Sequence, residues 1–217
     1  MNNESTEKLF YVTQRYGDCG TNLMFHNEGG SGYGTNIDKL RKFTLQEAQK
    51  ELDHFINSGV LPLLVSEVEK VSILSVDCQY ICSLECREYL KTEKGCVIQV
   101  TGDWNGNDIY FVSDSGETND LNKARVYSSL GEAASTIVGY AKRAIWPLEY
   151  LETKARRTIQ RENINVRKMI TGPGIKYKKP RAARPTMGKT RGNCPGCGKI
   201  TWGYDPHVEH CCQECEL

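Results

Sequence analysis

The sequence predicts an α+β protein made of two tandem β-hairpin-plus-helix units, a basic extended arm and a small C-terminal cysteine module. Three observations carry this. A pattern of strand, glycine turn, strand and capped helix occurs twice in the first 160 residues. Charge is segregated along the chain, and four cysteines near its end form two Cys-x-x-Cys pairs. The expected boundaries are 1–95 and 96–160 for the two units, 161–193 for the arm and 194–217 for the module.

The first pattern begins with an apolar strand at Leu9–Val12 and a turn around Tyr16–Gly20. A second strand over Asn22–His26 runs into the glycine-rich Gly29–Gly34, read as a hairpin turn because no Lys-Ser/Thr follows to make a phosphate loop. After Lys39–Phe43, a helix is expected over Leu45–Asn57. Thr44 and Glu47 form a capping box at its start, and Leu45, Ala48, Leu52, Phe55 and Ile56 lie on one helical stripe. Gly59 stops it.

The second pattern has strands at Val97–Val100 and Ile109–Val112 around the turn Asp103–Gly106, then a polar loop over Ser113–Asn119. After Lys123–Tyr127, a helix capped by Ser129 and Glu132 is expected to carry Leu130, Ala134, Ile137, Val138, Ala141 and Ile145 on one face. Pro147 ends or kinks it, and a basic continuation runs from Leu148 to about Gln160. Between the two patterns, Val65–Leu74 reads as extended and Asp77–Lys91 as helical. Both patterns place Lys-x-Arg-x-aromatic, then Thr or Ser, then Glu-Ala at the helix start. This resembles small repeated domains of uncharacterised phage proteins, which implies a viral or bacterial origin and no particular activity.

A net charge of +1 conceals three blocks. Residues 1–152 carry 14 Lys/Arg against 22 Asp/Glu, a net of −8; residues 153–193 carry 13 against one, a net of +12; residues 194–217 have a net of −3. The N-terminus lacks a basic patch followed by an apolar run, and no stretch of about 18 apolar residues occurs. The expected setting is therefore cytoplasmic, where ten cysteines are reduced thiols and clustered ones are metal ligands before they are disulfides.

Cys194 and Cys197 are followed by Cys212 and Cys215. Each pair offers two thiolates from one tight turn, and four thiolates at about 2.3 Å complete a closed tetrahedral zinc site. The pattern resembles the zinc-ribbon and related zinc-finger families, which implies one structural Zn2+ and a ribbon-like knob. His210, Cys211 and His207 are near enough in sequence to substitute as ligands. With every position filled by protein, no catalytic zinc is expected.

The basic block holds Arg156, Arg157, Arg161, Arg167, Lys168, Lys176, Lys178, Lys179, Arg181, Arg184, Lys189 and Arg191, with Tyr177 among them. Together with Lys199 and Trp202 of the module, these are the candidate contacts to nucleic acid, DNA or RNA, through phosphate neutralisation and stacking. A solvated linker, or a tail docking on an acidic protein surface, would show the same composition. Cys78, Cys82, Cys86 and Cys96 could form a second metal site but read more simply as buried thiols. Asp103, Asp108, Asp114, Glu117 and Asp120 read as an acidic loop. His26 and His54 have no catalytic partner at motif spacing.

The leading expectation is a non-enzymatic nucleic-acid- or nucleoprotein-binding factor. The second is a protein-directed inhibitor or adaptor working through its acidic body on a protein partner, and the third is a nucleic-acid-processing enzyme with a hidden site.

Overall fold

The computed structural model describes residues 7–15, 17–30, 32–55, 58–89, 95–178, 188–204, 211–212 and 214–215. They belong to two compact units divided between Tyr177 and Lys178. Both helices and sheets are present, as an α+β class requires.

In the first unit, strand β1 (Leu9–Val12) meets the hairpin of β2 (Phe25–His26) and β3 (Tyr33–Gly34) through the Thr13–Phe25 bridge. β1 lies between β4 (Phe43–Thr44) and β5 (Pro62–Leu64) in an antiparallel sheet. Phe10, Tyr11 and Val12 are all buried because elements cover both faces of β1. Helix α1 (Leu45–His54) contributes Ala48 and Leu52, and α2 (Val65–Val71) contributes Val68. Strand β6 (Ile73–Ser75) follows α2.

The order then recurs. Strand β7 (Cys96–Asn105) pairs with β8 (Asp108–Ser113), which continues to β9 (Gly116–Thr118). β7 also pairs with β10 (Val126–Tyr127) and β11 (Arg143–Pro147), as β1 pairs with β4 and β5. Helix α3 (Leu130–Thr136) follows β10, α4 (Leu148–Lys154) follows β11, and β12 (Arg156–Thr158) follows α4.

The two series meet at β6 and β12, which pair antiparallel with Leu74 opposite Arg157. Flanking this pair, bonds are exchanged reciprocally. Leu23 N–H donates to the Ile159 carbonyl at 2.9 Å, and Ile109 N–H to the Val76 carbonyl at 3.0 Å. Arg161 N–H donates to the Thr21 carbonyl and Cys78 N–H to the Asn107 carbonyl, each at 2.9 Å. Gly20 and Gly106 both have φ of +64°, and a Cβ on either would strike the turn containing the other.

Several elements differ from the sequence reading. The helix expected over 130–145 ends at Thr136, because Gly139 (φ +88°) turns the chain and 143–147 gains a strand partner in β7. Val138, placed on the apolar stripe, is 78% exposed. The expected continuation to Gln160 stops at Lys154, where β6 recruits Arg156–Thr158 into a sheet. Val65–Val71 is helical, not extended: Val65, Val68 and Val71 share one face, and packing overrides their β-branched preference. Asp77–Lys91 is not one helix, since its described part holds only short 3-10 turns at Cys78–Tyr80 and Glu85–Tyr89. Tyr16, Ile56, Asn57 and Lys91 lie outside the described residues.

The arm also begins later than expected. Met169, Ile170 and Ile175 are buried in the core around β1, with Tyr177 packed against it. Residues 161–177 thus belong to the first unit. The expected low-hydrophobicity arm contains four apolar anchors spaced too irregularly to show as a periodic pattern.

Candidate metal centre and basic surface

In the second unit, strand β13 (Thr190–Asn193) forms a hairpin with β14 (Ile200–Gly203), with Arg191 opposite Trp202 and Asn193 opposite Ile200. The connection is the first Cys-x-x-Cys turn. Cys194 N–H donates to the Lys199 carbonyl and Gly198 N–H to the Cys194 carbonyl, each at 2.8 Å. Gly198 has φ of +74°, a left-handed conformation that reverses the chain towards β14. Gly196 lies over the sulfurs, where an added Cβ would be 3.4 Å from Cys215 Sγ.

The sulfurs of Cys194, Cys197, Cys212 and Cys215 lie within 4.8 Å of one another. A tetrahedron with arms of about 2.3 Å has edges of about 3.8 Å, so the cluster has the dimensions of a four-thiolate metal site. Cys212 N–H donates to Cys194 Sγ at 3.4 Å. That bond, with further N–H groups of Cys197 and Gly196, holds the Cys194 thiol down to about 5, in the range of a ready thiolate ligand. Cys215 is raised, chiefly because its thiol donates to Cys197. Cys211 is a close fifth thiol, with its sulfur 3.5 Å from Cys194 Sγ. His207 and His210 lie outside the described residues. The four cysteines can hold a metal ion, and among the described residues no other group of metal-ligating side chains gathers. Cys86 and Cys96 are buried thiols raised by desolvation, and Cys86 Sγ donates to the Ser83 carbonyl at 3.2 Å.

The basic residues divide into bound and free. Arg156 has a side chain only 11% exposed and reaches Asp108 Oδ1 at 2.6 Å and Asp77 Oδ2 at 3.4 Å. Its Nε donates to Thr35 Oγ1 at 3.2 Å. Arg157 pairs with Asp38 and Arg161 with Asp18. These three, grouped with the arm by charge alone, are anchors of the first unit. Arg167, Lys168 and Lys176 of the first unit are exposed and have no carboxylate partner among the described residues, as do Lys178 and Arg191 of the second. Lys189 is half-buried, its Nζ 5.0 Å from the centre of the Tyr204 ring. Lys199 pairs with Glu214. Trp202 is 45% exposed. Lys179, Arg181 and Arg184 lie outside the described residues.

Sequence reasoning missed the buried polar cluster of the first unit. Asp108 is fully buried and Asp120 nearly so, which corrects their assignment to an acidic loop. Burial pushes the Asp108 carboxyl up, and Arg156 and Asn22 pull against it. Asp120 Oδ1 accepts from Asn122 N–H at 3.2 Å, capping a 3-10 turn, and from Leu74 N–H at 3.3 Å. No sequence signal separates these carboxylates from their exposed neighbours Asp103 and Asp114, because each is met by a group distant in sequence, Asp108 by Arg156 and Asp120 by the Leu74 N–H.

No family model, curated protein or solved structure matches the chain. What its fold and site define is an α+β protein with a C-terminal four-cysteine cluster. No helix among the described residues is long and apolar enough to cross a membrane.

Proposed function

We propose that the protein is a non-enzymatic nucleic-acid-binding factor whose C-terminal unit is a zinc ribbon and whose contacts are the free cations on and before it. The observation that carries this reading is the sorting of the basic block. Its first three arginines are neutralised by Asp77, Asp108, Asp38 and Asp18, whereas Arg167, Lys168, Lys176, Lys178 and Arg191 meet no carboxylate among the described residues. Unpaired, solvent-facing Lys and Arg neutralise phosphate and release counterions. Zinc suits the cluster because four thiolates are its preferred closed donor set, and binding would supply about 10 kcal/mol or more of folding free energy to a unit with almost no core. We also infer that residues 9–163 hold two copies of one unit, supported by the recurring element order and the reciprocal bonds around β6 and β12.

The test is binding of the full chain to DNA and RNA across a salt series. Affinity should fall steeply with salt. Substituting Lys176, Lys178 and Arg191 together with Ala should flatten the dependence, and substituting Arg157 and Arg161 should not. No binding at low salt would overturn the reading and favour a protein partner for the acidic first unit.

A further inference from the structure

The β13–β14 hairpin has two unlike faces. Residues directly opposite in an antiparallel pair share a face, so the register places Asn193 with Ile200 and Arg191 with Trp202 on one side. Continuing it by one pair sets Lys189 beside Tyr204, where the ammonium lies over one face of the ring. On the opposite side are Thr201 and Gly203, both buried. Ile200, Trp202 and Tyr204 are 54%, 45% and 73% exposed. Both rings are open to solvent, and each has a cation as its cross-strand neighbour, Arg191 for Trp202 and Lys189 for Tyr204.

We propose that this face is a stacking platform for an unpaired polynucleotide strand, with Trp202 and Tyr204 receiving bases while Arg191 and Lys189 meet the phosphates between them. The proposal rests on the nucleic-acid reading above and specifies what is bound. Same-face residues of a strand are about 7 Å apart, roughly twice the 3.4 Å rise of stacked bases along one strand of a duplex. Two rings at that spacing fit bases already separated from each other. A duplex presents base edges in its grooves, not base faces, and offers these rings nothing to stack on. Ring stacking is indifferent to base identity, so the platform is sequence-tolerant. The pairing of every ring with a cation favours a polyanion over an apolar peptide.

The experiment uses the full chain loaded with zinc and a short fluorescent oligodeoxythymidylate, beside a duplex of mixed sequence. Trp202→Ala and Tyr204→Ala should each weaken the single strand roughly 5- to 150-fold and leave duplex binding within about twofold. Trp202→Phe, which keeps a ring, should restore most of the loss. Protection of the cysteine thiols from alkylation shows whether each variant retains its fold. If the double alanine variant keeps its thiols protected and binds the single strand as tightly as the parent, the platform is wrong. Should Lys178→Ala and Arg191→Ala still weaken binding in that case, the broader nucleic-acid reading stands without it. Equal loss of single strand and duplex in the ring variants would also overturn the platform, assigning the rings to hairpin stability. If the parent binds neither probe, both readings fall.

Discussion

Asn22 Nδ2 donates to Asp108 Oδ2 at 2.8 Å, and both residues are almost wholly buried. Each follows the glycine turn of its own series, bridging Gln160 and Asp77 respectively. The residue two after one glycine turn therefore touches the residue two after the other, an amide on one side and a carboxylate on the other. The difference matters, because Arg156 supplies one positive charge, already shared between Asp108 and Asp77. Asn22→Asp would add a third carboxylate to this cluster. An uncompensated buried charge costs about 3–5 kcal/mol, so urea unfolding should show a loss of that size, with Asn22→Ser losing clearly less.

Arg156→Ala should be equally severe, since it strands Asp108 and Asp77 without a cation, and about 3–5 kcal/mol is expected. Arg157→Ala and Arg161→Ala remove partly exposed pairs and should cost about 1 kcal/mol or less. Denaturant midpoints of the three variants would separate one buried anchor from two surface ones.

Gly20→Ala and Gly106→Ala test the contact between the two turns. Both positions are left-handed, and a Cβ at Gly106 would lie 2.6 Å from the Cys19 carbonyl carbon. Left-handed backbone alone costs a non-glycine residue about 1–2 kcal/mol, and the clash adds to it. The two substitutions should give similar, large drops in unfolding temperature, whereas Gly29→Ala, with open space around it, should lose only the backbone component.

Chelation should act on the C-terminal unit alone. Removing metal should expose the thiols of Cys194, Cys197, Cys212 and Cys215 to alkylation and abolish the ordered hairpin, while the far-UV signal of the first unit persists. Cys194→Ser should reproduce this, since Cys194 is the buried member of the set. Cys211→Ser should retain one bound metal per chain, as Cys211 is the nearby spare thiol. Metal content measured by mass spectrometry decides between the two cysteines.

If Arg167, Lys168, Lys176, Lys178, Lys189 and Arg191 all reach phosphate, the logarithm of affinity should fall with the logarithm of salt at a slope of about −4 to −5. Arg156→Ala should leave that slope unchanged in any variant fraction that stays folded.

Strands at Leu9–Val12, Val97–Val100 and Ile109–Val112 were legible from short apolar runs between glycine turns, and the start of α1 from its cap. Thr44 N–H donates to Glu47 Oε2 at 2.8 Å, and Glu47 N–H to Thr44 Oγ1 at 3.3 Å, a full capping box. At α3 only half of the expected box forms: Glu132 N–H reaches Ser129 Oγ, but the Glu132 carboxylate turns to Ser128. The cysteine cluster was legible because its ligands come from two local turns. What could not be read locally was anything decided at a distance. Ile145 and Trp146 scan as part of a helix until β7 offers a strand partner, with Trp146 Nε1 donating to Gln99 Oε1 at 2.6 Å. Charge counting grouped Arg156 with the basic block for the same reason, since its partners Asp77 and Asp108 are far away in sequence.

The reciprocal closure at β6 and β12 has a consequence for synthesis on the ribosome. The core around β1 is completed by Ile159, Met169, Ile170 and Ile175, so the N-terminal residues emerge long before the side chains that seal them. At roughly 5–20 residues per second, a nascent chain that has just released β6 waits on the order of ten seconds for its last buried partners. During that interval Phe10, Tyr11 and Val12 have no complete cover, and an arrested or truncated chain would present them to chaperones and proteases.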